Sequence, residues 1–437
     1  MAEHRATECL DRFRIRVART RAHEDAIALG RRHGGTLGNA REIDPFDPAN
    51  WHDPHPGYHA LRDTAPIWHN PTFDNWILTR YADCEQMLRD TRFSSNPAHL
   101  RGENAERDDI RMSLLGADAN ILLFLDPPDH TRLRRLVGKA FTPRVVDALR
   151  PRIRTLVDEL LDVAVEKGTF DVISEVAYPL PVIVICELLG VPAEDRHLFG
   201  PWSAAATRLL DGDISMEETS AGVLAAMSLL NYLNGLIEDR RARPRDDLLS
   251  RMIAAEESGD MMTEAELRMM SLLLFLAGHE TTQNLIGNGT YALLRHPDQW
   301  NALREDASPD AVATAVEELL RFDGPVHVTA RIAVEDVEVG GEHFDAGTQF
   351  NVLLAAANRD PSRFADPDRL DVRRHDNKHL TFSGGIHYCL GAALARVEGQ
   401  ETFAAMARRM PSLSLAEDPA YRPHLVLRGL AALSVSA

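Results

Sequence analysis

The sequence contains few cysteines. Its 437 residues include only four, and no two of them are spaced as a Cys-x-x-Cys pair: Cys9, Cys84, Cys186 and Cys389. A disulfide framework and a closed zinc site both need several ligands at paired spacings, so neither is indicated. Isolated cysteines are typical of proteins from a reducing compartment, and we therefore predict a cytoplasmic protein.

The sequence also lacks a long apolar run near its N-terminus. Residues 1–43 are rich in arginine and contain no segment long enough for a signal peptide or a membrane span. We expect this segment to be a surface leader, with a transit peptide as the alternative, followed by one domain at residues 44–437. The formal net charge of −18 argues against non-specific binding of nucleic acid. A soluble protein without a nucleic-acid or membrane partner is predicted.

Most of the remaining sequence has helical periodicity, and no internal repeat or low-complexity linker divides it. Apolar residues recur at helical spacing after Pro143. A capping box at Thr263–Glu266 opens a pattern that continues to Arg295, which predicts a helix of roughly 32 residues. Another helix is expected to begin after Ser308, and extended segments are expected near 67–78 and 326–354. The predicted fold class is mainly α with small β-sheets.

Cys389 stands in an unusual segment, Phe-Ser-Gly-Gly-Ile-His-Tyr-Cys-Leu-Gly, at 382–391, followed by a run of small residues. A sulfur that binds iron as an anion needs backbone N–H groups directed at it, and it gains from a following helix N-terminus. The pattern therefore predicts a haem thiolate. Two alternatives remain: a zinc site shared with His387, which lacks paired ligands, and the nucleophile of a thiol hydrolase with a histidine as base.

A second unusual segment lies inside the long predicted helix. The apolar stretch 272–277 is followed by Gly278, His279, Glu280, Thr281 and Thr282. Glycine and adjacent threonines have low helix propensity, so a requirement other than helix stability is indicated. Without further information, a polar patch that faces solvent would explain the same residues.

The helical segment at 272–282, followed later in the chain by the cysteine segment at 382–391, resembles the corresponding motifs of the cytochrome P450 family. The resemblance extends from about residue 44 to the C-terminus. The resemblance implies the cytochrome P450 fold, with haem b between the long distal helix and the helix that follows the cysteine loop. Cys389 would be the axial ligand of the haem iron. Glu280 and Thr281 would deliver protons at the oxygen site, and Gly278 would leave room for O2. Ser383 departs from the family, which usually has glycine at that position.

The resemblance also assigns basic and structural residues. His130 and Arg134, which share one helical face at i and i+4, would bind the haem propionates together with Arg331 and His387. Glu318 and Arg321, by spacing alone a surface ion pair, would form a structural trio with Arg374, or with Arg373 as the alternative. The trio is expected to serve folding and haem retention.

The function that follows from the resemblance is a haem-thiolate monooxygenase, an oxidoreductase that inserts one oxygen atom from O2 into a hydrophobic small molecule by hydroxylation or epoxidation. The sequence has no flavin or iron–sulfur motif, so a separate ferredoxin or flavodoxin with its reductase would supply electrons. Arg132, Arg135 and Lys139 are candidates for docking that partner, unless they are only a solvated helix face. The alternative is a haem-binding scaffold without oxidative activity, against which Glu280 and Thr281 argue.

The residues expected to line the pocket indicate the class of the substrate. The expected pocket residues are mostly aliphatic, with His327 and Asn120 as possible polar anchors, and the named candidates are Leu273, Leu276, Ala277 and His327. A large hydrophobic molecule such as a polyketide, terpenoid, steroid or fatty acid fits such a wall.

Overall fold

The structure is a computed structural model that describes residues 50–70, 73–102, 121–211, 214–257 and 262–437, with 45, 47 and 105. The predicted leader at 1–43 and Asn120 lie outside the described residues. In chain order the α-helices are α1 (His55–Thr64), α2 (Tyr81–Arg89), α3 (Asp129–Val137), α4 (Pro143–Glu166), α5 (Pro179–Leu189), α6 (Phe199–Thr207), α7 (Met216–Ala242), α8 (Leu248–Glu257), α9 (Glu264–Arg295), α10 (Pro297–Glu305), α11 (Pro309–Phe322), α12 (Leu354–Ala357) and α13 (Ala392–Arg409).

The described part of the chain contains ten short strands: β1 (Ile67–Asn70), β2 (Asn75–Leu78), β3 (Phe93–Ser94), β4 (Thr169–Asp171), β5 (Val328–Ala333), β6 (Val337–Val339), β7 (Glu342–Phe344), β8 (Gln349–Leu353), β9 (Ser414–Leu415) and β10 (Ser434–Ser436). The largest sheet in the described part has the order β1-β2-β8-β5-β3. Only the β2–β8 pair in it is parallel. The mainly α fold with small sheets is confirmed.

The predicted ends of the long helix α9 are also confirmed. The Thr263 hydroxyl accepts a hydrogen bond from the Glu266 N–H at 3.2 Å, and the Thr263 N–H donates to the Glu266 carboxylate at 2.7 Å. The helix ends at Arg295. The next residue, His296, is not helical, as expected for a residue that precedes a proline. At about 1.5 Å per residue it extends roughly 48 Å, so it crosses the whole core.

The core is built around α9. Helices α5, α7, α11 and α13 all pack on it. Phe275 and Ile286 of α9 are fully buried, as are Leu319 of α11 and Phe403 of α13. A helix that is enclosed on most sides can hold a few of its residues against an internal cavity, and the position of α9 therefore determines where such a cavity lies.

Helix α7 is long and apolar enough, by length and composition alone, to cross a membrane, and it is the one such helix in the described part of the chain. Its buried residues include Leu229, Leu233 and Leu236, and it packs against α6 and α9. Near its C-terminus, Arg240 is almost completely buried and donates to Asp247 at 2.6 Å. A core helix of a globular protein passes the same test of length and composition.

A group of buried aromatic and histidine side chains joins α1 to the segment before β5. The Tyr58 hydroxyl donates to Nδ1 of His327 at 3.1 Å, and the ring centroids of His55 and His327 are 6.1 Å apart. Burial, with a contribution from Arg428, lowers the pKa of His327 to about 3, and burial also lowers the pKa of His55. Both histidines are therefore neutral in the folded protein at neutral pH.

This arrangement predicts an acid-dependent loss of stability. Below about pH 6.5 the unfolded chain binds protons at His327 and His55 that the folded protein excludes, so each contributes a loss of up to about 1.4 kcal/mol per pH unit as the pH falls. We expect the urea midpoint of His327→Gln to fall less than that of the unsubstituted protein between about pH 6.5 and 4.5. His343, whose side chain is 70% exposed, is the matched control, and His343→Gln should follow the unsubstituted protein. Equal pH dependence for both variants would contradict the assignment.

Candidate active site

The start of the cysteine loop is attached by buried hydrogen bonds to α11 and to Asn358, which follows α12. The Thr381 hydroxyl donates to the Leu320 carbonyl at 2.7 Å, and Asn358 accepts from the Leu380 N–H at 2.7 Å. The Cys389 N–H donates to the Phe382 carbonyl at 2.9 Å, which closes the loop. Helix α13 begins three residues after the cysteine, so the sulfur lies at a helix N-terminus.

In the protein alone, burial raises the pKa of the Cys389 thiol, although several neighbouring groups oppose this shift. The opposing groups, which lower the pKa, are the N–H groups of Gly391 and Ala392 and the charges of Arg134 and Arg396. The side chain is nevertheless exposed. An atom that is accessible and yet enclosed lines a cavity, and this sulfur therefore has an open side for a metal.

Two residues of the loop have left-handed backbone conformations. Gly385 has a φ of 62°, and a Cβ atom there would collide with the Leu88 carbonyl oxygen of α2, so only glycine fits. Ser383 has a φ of 61° although it carries a side chain. The departure from the family's usual glycine therefore leaves the backbone in a conformation that glycine would adopt more easily.

One stretch of α9 faces open space inside the protein. Most of the helix is buried, but Ala277 is exposed and Leu273, Leu276 and Thr281 are partly exposed. On β5, Ala330 is exposed and Thr329 is partly exposed. Small and apolar residues that are exposed in the middle of an interior helix mark the wall of a cavity. These positions include three of the four predicted pocket residues.

Four basic residues from three parts of the chain come together next to the cysteine loop. The ring centroids of His130 and His387 are 4.5 Å apart, and Arg134 donates to the carbonyl of Tyr388. Burial, followed by Arg331, His130 and Arg134, lowers the pKa of His387 to about 3. The four side chains that the sequence predicted as propionate ligands are therefore neighbours. In the protein alone, the positive charges of this cluster disfavour protonation of His387.

This cluster fits a dianionic ligand. Arg331 is only 3% exposed, its pKa is lowered to about 10 by burial, and its hydrogen bonds in the described part go to Ala330, Thr329 and Ser383 and not to a carboxylate. Nε2 of His130 and Nε2 of His387 are buried without a hydrogen-bond partner. Buried cations and unpaired ring nitrogens need anionic partners, and haem propionates meet that need.

The acid and the alcohol predicted for proton delivery lie on α9 but make different contacts. Glu280 is 2% exposed, and its carboxylate is 2.8 Å from Nη1 of Arg422 in the C-terminal segment. Arg422 also donates to Asn284 of α9 at 2.8 Å. The Thr281 hydroxyl donates to the Ala277 carbonyl at 3.0 Å, so it faces the same stretch of α9 that borders the cavity.

Comparison with known proteins identifies the family. The Cytochrome P450 family model matches residues 220–410. Vitamin D(3) 25-hydroxylase of Pseudonocardia autotrophica is 42% identical over 408 residues, which cover 92% of this chain and 98% of that protein. The chain belongs to the cytochrome P450 family.

Other relatives agree with this membership. The 6-deoxyerythronolide B hydroxylase of Saccharopolyspora erythraea is 41% identical over 394 residues, 86% of this chain and 94% of that protein. The crystal structure of Mycobacterium smegmatis CYP164A2 in its ligand-free state matches with a TM-score of 0.83 and 41% identity. The match covers 91% of this chain and all of that chain. The predicted family, fold and activity are confirmed: the protein is a cytochrome P450 monooxygenase with a haem-thiolate cofactor.

Neither of the two alternatives for Cys389, a zinc site and a thiol nucleophile, is supported. In the described residues, only Asp336, His343 and Asp345 bring three ligand atoms of the metal-binding type together, and they lie on the surface around the β6–β7 hairpin. A closed zinc site at Cys389 and His387 therefore has no third and fourth ligand in that part of the chain. Family membership likewise leaves no support for a thiol hydrolase.

The interpretation of Glu318 and Arg321 as a surface ion pair is wrong for this cytochrome P450. Both side chains are 0% exposed, and the guanidinium of Arg321 makes two hydrogen bonds to Glu318, at 2.7 and 2.8 Å. Nε of Arg374 lies 3.1 Å from the same carboxylate. Arg373, the alternative third member, is exposed. A buried carboxylate with two arginines ties α11 to the segment before the cysteine loop.

Two other expectations need correction, at His327 and at Arg132. The role of Gly278 in leaving room for O2 stays a prediction; a Cβ atom there would lie 3.2 Å from Ile185, so the glycine also allows α9 and α5 to pack closely. His327 is buried with its Nδ1 bound to Tyr58, and it does not act as a polar anchor of the pocket. Arg132 is bound to Glu266 at 2.5 Å and to Asp129, so this part of the predicted docking patch is engaged within the protein.

Sequence reasoning missed several polar residues that hold the site together. Arg422 had no signal, because it reaches Glu280 only through the folding of the C-terminal segment. His279 received no role, but its Nε2 is 2.8 Å from the Ser203 hydroxyl of α6, and burial keeps its pKa low. Arg396, two helical turns after Cys389, pairs with Glu317 at 2.6 Å. The spacing of Arg396 from the cysteine was visible, but its partner was not.

The buried trio generates a prediction about folding. Arg374→Gln removes one cation from a carboxylate that has no access to water, and we expect a loss of about 2 kcal/mol in the free energy of unfolding, because hydrogen bonds to charged groups contribute on that order. The neighbouring exposed residue provides the matched control, and Arg373→Gln should change stability by less than about 0.5 kcal/mol. The check is chemical denaturation of the purified variants. Similar losses of stability for both variants would contradict a specific stabilising contribution of the contact between Arg374 and Glu318.

Proposed function

We propose that Cys389 is the axial ligand of haem b, and that His130, Arg134, Arg331 and His387 bind its two propionates. The observation that carries the proposal is the basic cluster, which lies beside a cysteine at a helix N-terminus and has no protein carboxylate paired with Arg331 in the described residues. The haem, when bound, supplies the oxidising chemistry that uses O2. The chain holds it, excludes water and provides protons.

We further propose that the substrate is a large hydrophobic molecule that is hydroxylated or epoxidised. The cavity wall on α9 is formed by Leu273, Leu276 and Ala277, and such a wall favours apolar ligands. The names of two relatives, a vitamin D(3) 25-hydroxylase and a 6-deoxyerythronolide B hydroxylase, support a steroid-like or polyketide substrate. Of the candidates named from the sequence, these two classes are therefore preferred.

Proton delivery is proposed to involve Thr281 and Glu280. The Thr281 hydroxyl lies on the cavity side of α9, where a donor is needed when O2 is reduced. Glu280 is buried and held by Arg422, so its carboxylate must leave that ion pair, or exchange protons beside it, to act in the relay. Arg422 therefore belongs to the same proposal.

Electrons are proposed to come from a ferredoxin or a flavodoxin with its reductase, since members of the family generally depend on redox partners. Arg135 and Lys139 are exposed, and their segment contacts the cysteine loop through Arg134 and Gly138. Ile386 and Tyr388 of the loop itself are also exposed. A mixed apolar and basic face of this kind suits an acidic protein. We also propose that the protein is cytoplasmic. We propose further that residues 44–437 form one haem domain, because a continuous apolar core joins residues from Leu122 to Val435.

The ligand assignment predicts the spectrum of the reduced protein. With carbon monoxide, the reduced protein should give the red-shifted Soret band of a thiolate-ligated haem. Cys389→Ser should lose that band, whereas Cys186→Ala, a change at a fully buried cysteine of α5, should keep it. A band at the position typical of histidine-ligated haem in the unsubstituted protein would contradict the assignment.

The proposed relay predicts the behaviour of Thr281→Ala. Loss of the hydroxyl removes a positioned proton donor, and we expect the ratio of product formed to reductant consumed to fall by at least about tenfold. The measurement uses a hydrophobic substrate chosen by the low-spin to high-spin shift that it causes. Thr290→Ala, at a buried threonine farther along α9, is the control and should leave the ratio unchanged. An unchanged ratio in Thr281→Ala would remove its role in proton delivery.

A further inference from the structure

Ser383 occupies a conformation that serine rarely adopts. In the described residues, three amino acids other than glycine have a positive φ: Asp74 at 47°, Asp366 at 46° and Ser383 at 61°. Aspartate tolerates the left-handed region because its short carboxylate bonds to local backbone groups. Serine is less favoured there, and glycine would adopt the same angles at lower cost. A strained residue that persists beside a functional loop suggests a contribution from its side chain.

The side chain of Ser383 contacts one of the buried basic residues. Its hydroxyl oxygen accepts a hydrogen bond from Nη2 of Arg331 at 3.4 Å. Nη1 of Arg331 donates to the Ala330 carbonyl at 2.7 Å and to the Thr329 hydroxyl at 3.3 Å. Neutral oxygens thus hold both ends of a guanidinium that is 3% exposed. The hydroxyl hydrogen of Ser383 remains available to a carboxylate that approaches Arg331.

The position of Ser383 in the chain links this cation to the iron ligand. The Ser383 N–H donates to the Leu380 carbonyl at 2.7 Å, and this turn lies at the start of the cysteine loop. The preceding residue, Phe382, provides the carbonyl that accepts from the Cys389 N–H. Ser383 therefore stands between the thiolate loop on one side and the arginine of β5 on the other.

We propose that Ser383 is a positioning residue whose hydroxyl holds the Arg331 guanidinium in place for a haem propionate, and that it thereby raises the reduction potential of the haem iron. The proposal rests on the proposed roles of Arg331 and Cys389. Reduction adds negative charge to the haem, so better neutralisation of a propionate favours the reduced state. The serine that departs from the family's usual glycine is thus assigned to tuning the potential and to haem retention.

The test compares two variants that both lack the hydroxyl but differ in backbone strain. Ser383→Ala keeps the Cβ atom in the left-handed conformation, and Ser383→Gly relieves it. In the haem-loaded protein, we expect both variants to have a lower reduction potential by spectroelectrochemical titration. The haem dissociation constant of each variant, measured by transfer to a competing apoprotein, should be roughly tenfold higher than that of the unsubstituted protein. This is the size expected for the loss of one hydrogen bond to a charged group.

A matched serine separates this effect from a general loss of stability. Ser308 caps α11 through a bond to the Ala311 N–H, and Ser308→Ala should lower stability without a change in potential. The route through Arg331 is tested in an Arg331→Lys background, where the charge remains and the guanidinium is lost. Ser383→Ala should have little further effect on the potential there. A full effect in that background would overturn the proposed route.

The remaining outcomes are also decisive. Unchanged potentials in both Ser383 variants would overturn the inference, and so would a shift in Ser383→Gly alone, since that would assign the effect to the backbone. The thiolate band with carbon monoxide separates this failure from that of the proposed function. If the band is present and the potentials do not move, the function stands and the role of Ser383 is wrong.

Discussion

Charge that is buried without a protein partner is the constraint on which the site depends. The fold brings Arg331, Arg134, His130 and His387 to one place, and burial, reinforced by the charges of the other three residues, lowers the pKa of His387 to about 3. Such a cluster is unfavourable in the isolated polypeptide and becomes favourable when a dianion occupies it. Binding of the cofactor and stability of the folded site are therefore linked, because the ligand removes an electrostatic cost that the chain alone carries.

At Glu318 the buried charge is negative, and cations of the protein itself neutralise it. Its carboxylate is fully buried and is neutralised by Arg321 and Arg374, while it also accepts from the Asp371 N–H at 2.9 Å. Removing either cation leaves the buried carboxylate with only one of its two arginines, so this network specifies how α11 and the segment before the cysteine loop meet. The geometry of Cys389 depends on that junction, since the start of the loop is attached to α11 and to Asn358 through Thr381.

The distal side shows the same dependence on long-range contacts. Glu280 and Thr281 are adjacent in sequence, but Glu280 is turned to Arg422 and Thr281 bonds to Ala277. His279 joins α9 to α6 through Ser203, and Glu398 of α13 is buried near Thr282 with its pKa raised to about 8 by burial. The central helix is thus connected on several sides to the elements that surround the cavity.

Several helix ends and most of the candidate site residues could be predicted from the sequence. Capping at Thr263 and Ser308, the interruption at Pro297 and the glycine-rich loop before Cys389 act through local backbone chemistry, and local chemistry can be read along the chain. Which side chains are buried, and which residues they contact, became known from the folded structure. The pair Glu318–Arg321 looked like a surface contact because spacing does not report exposure, and Arg422 and Ser203 lie 142 and 76 residues from their partners on α9, distances over which sequence carries no contact information.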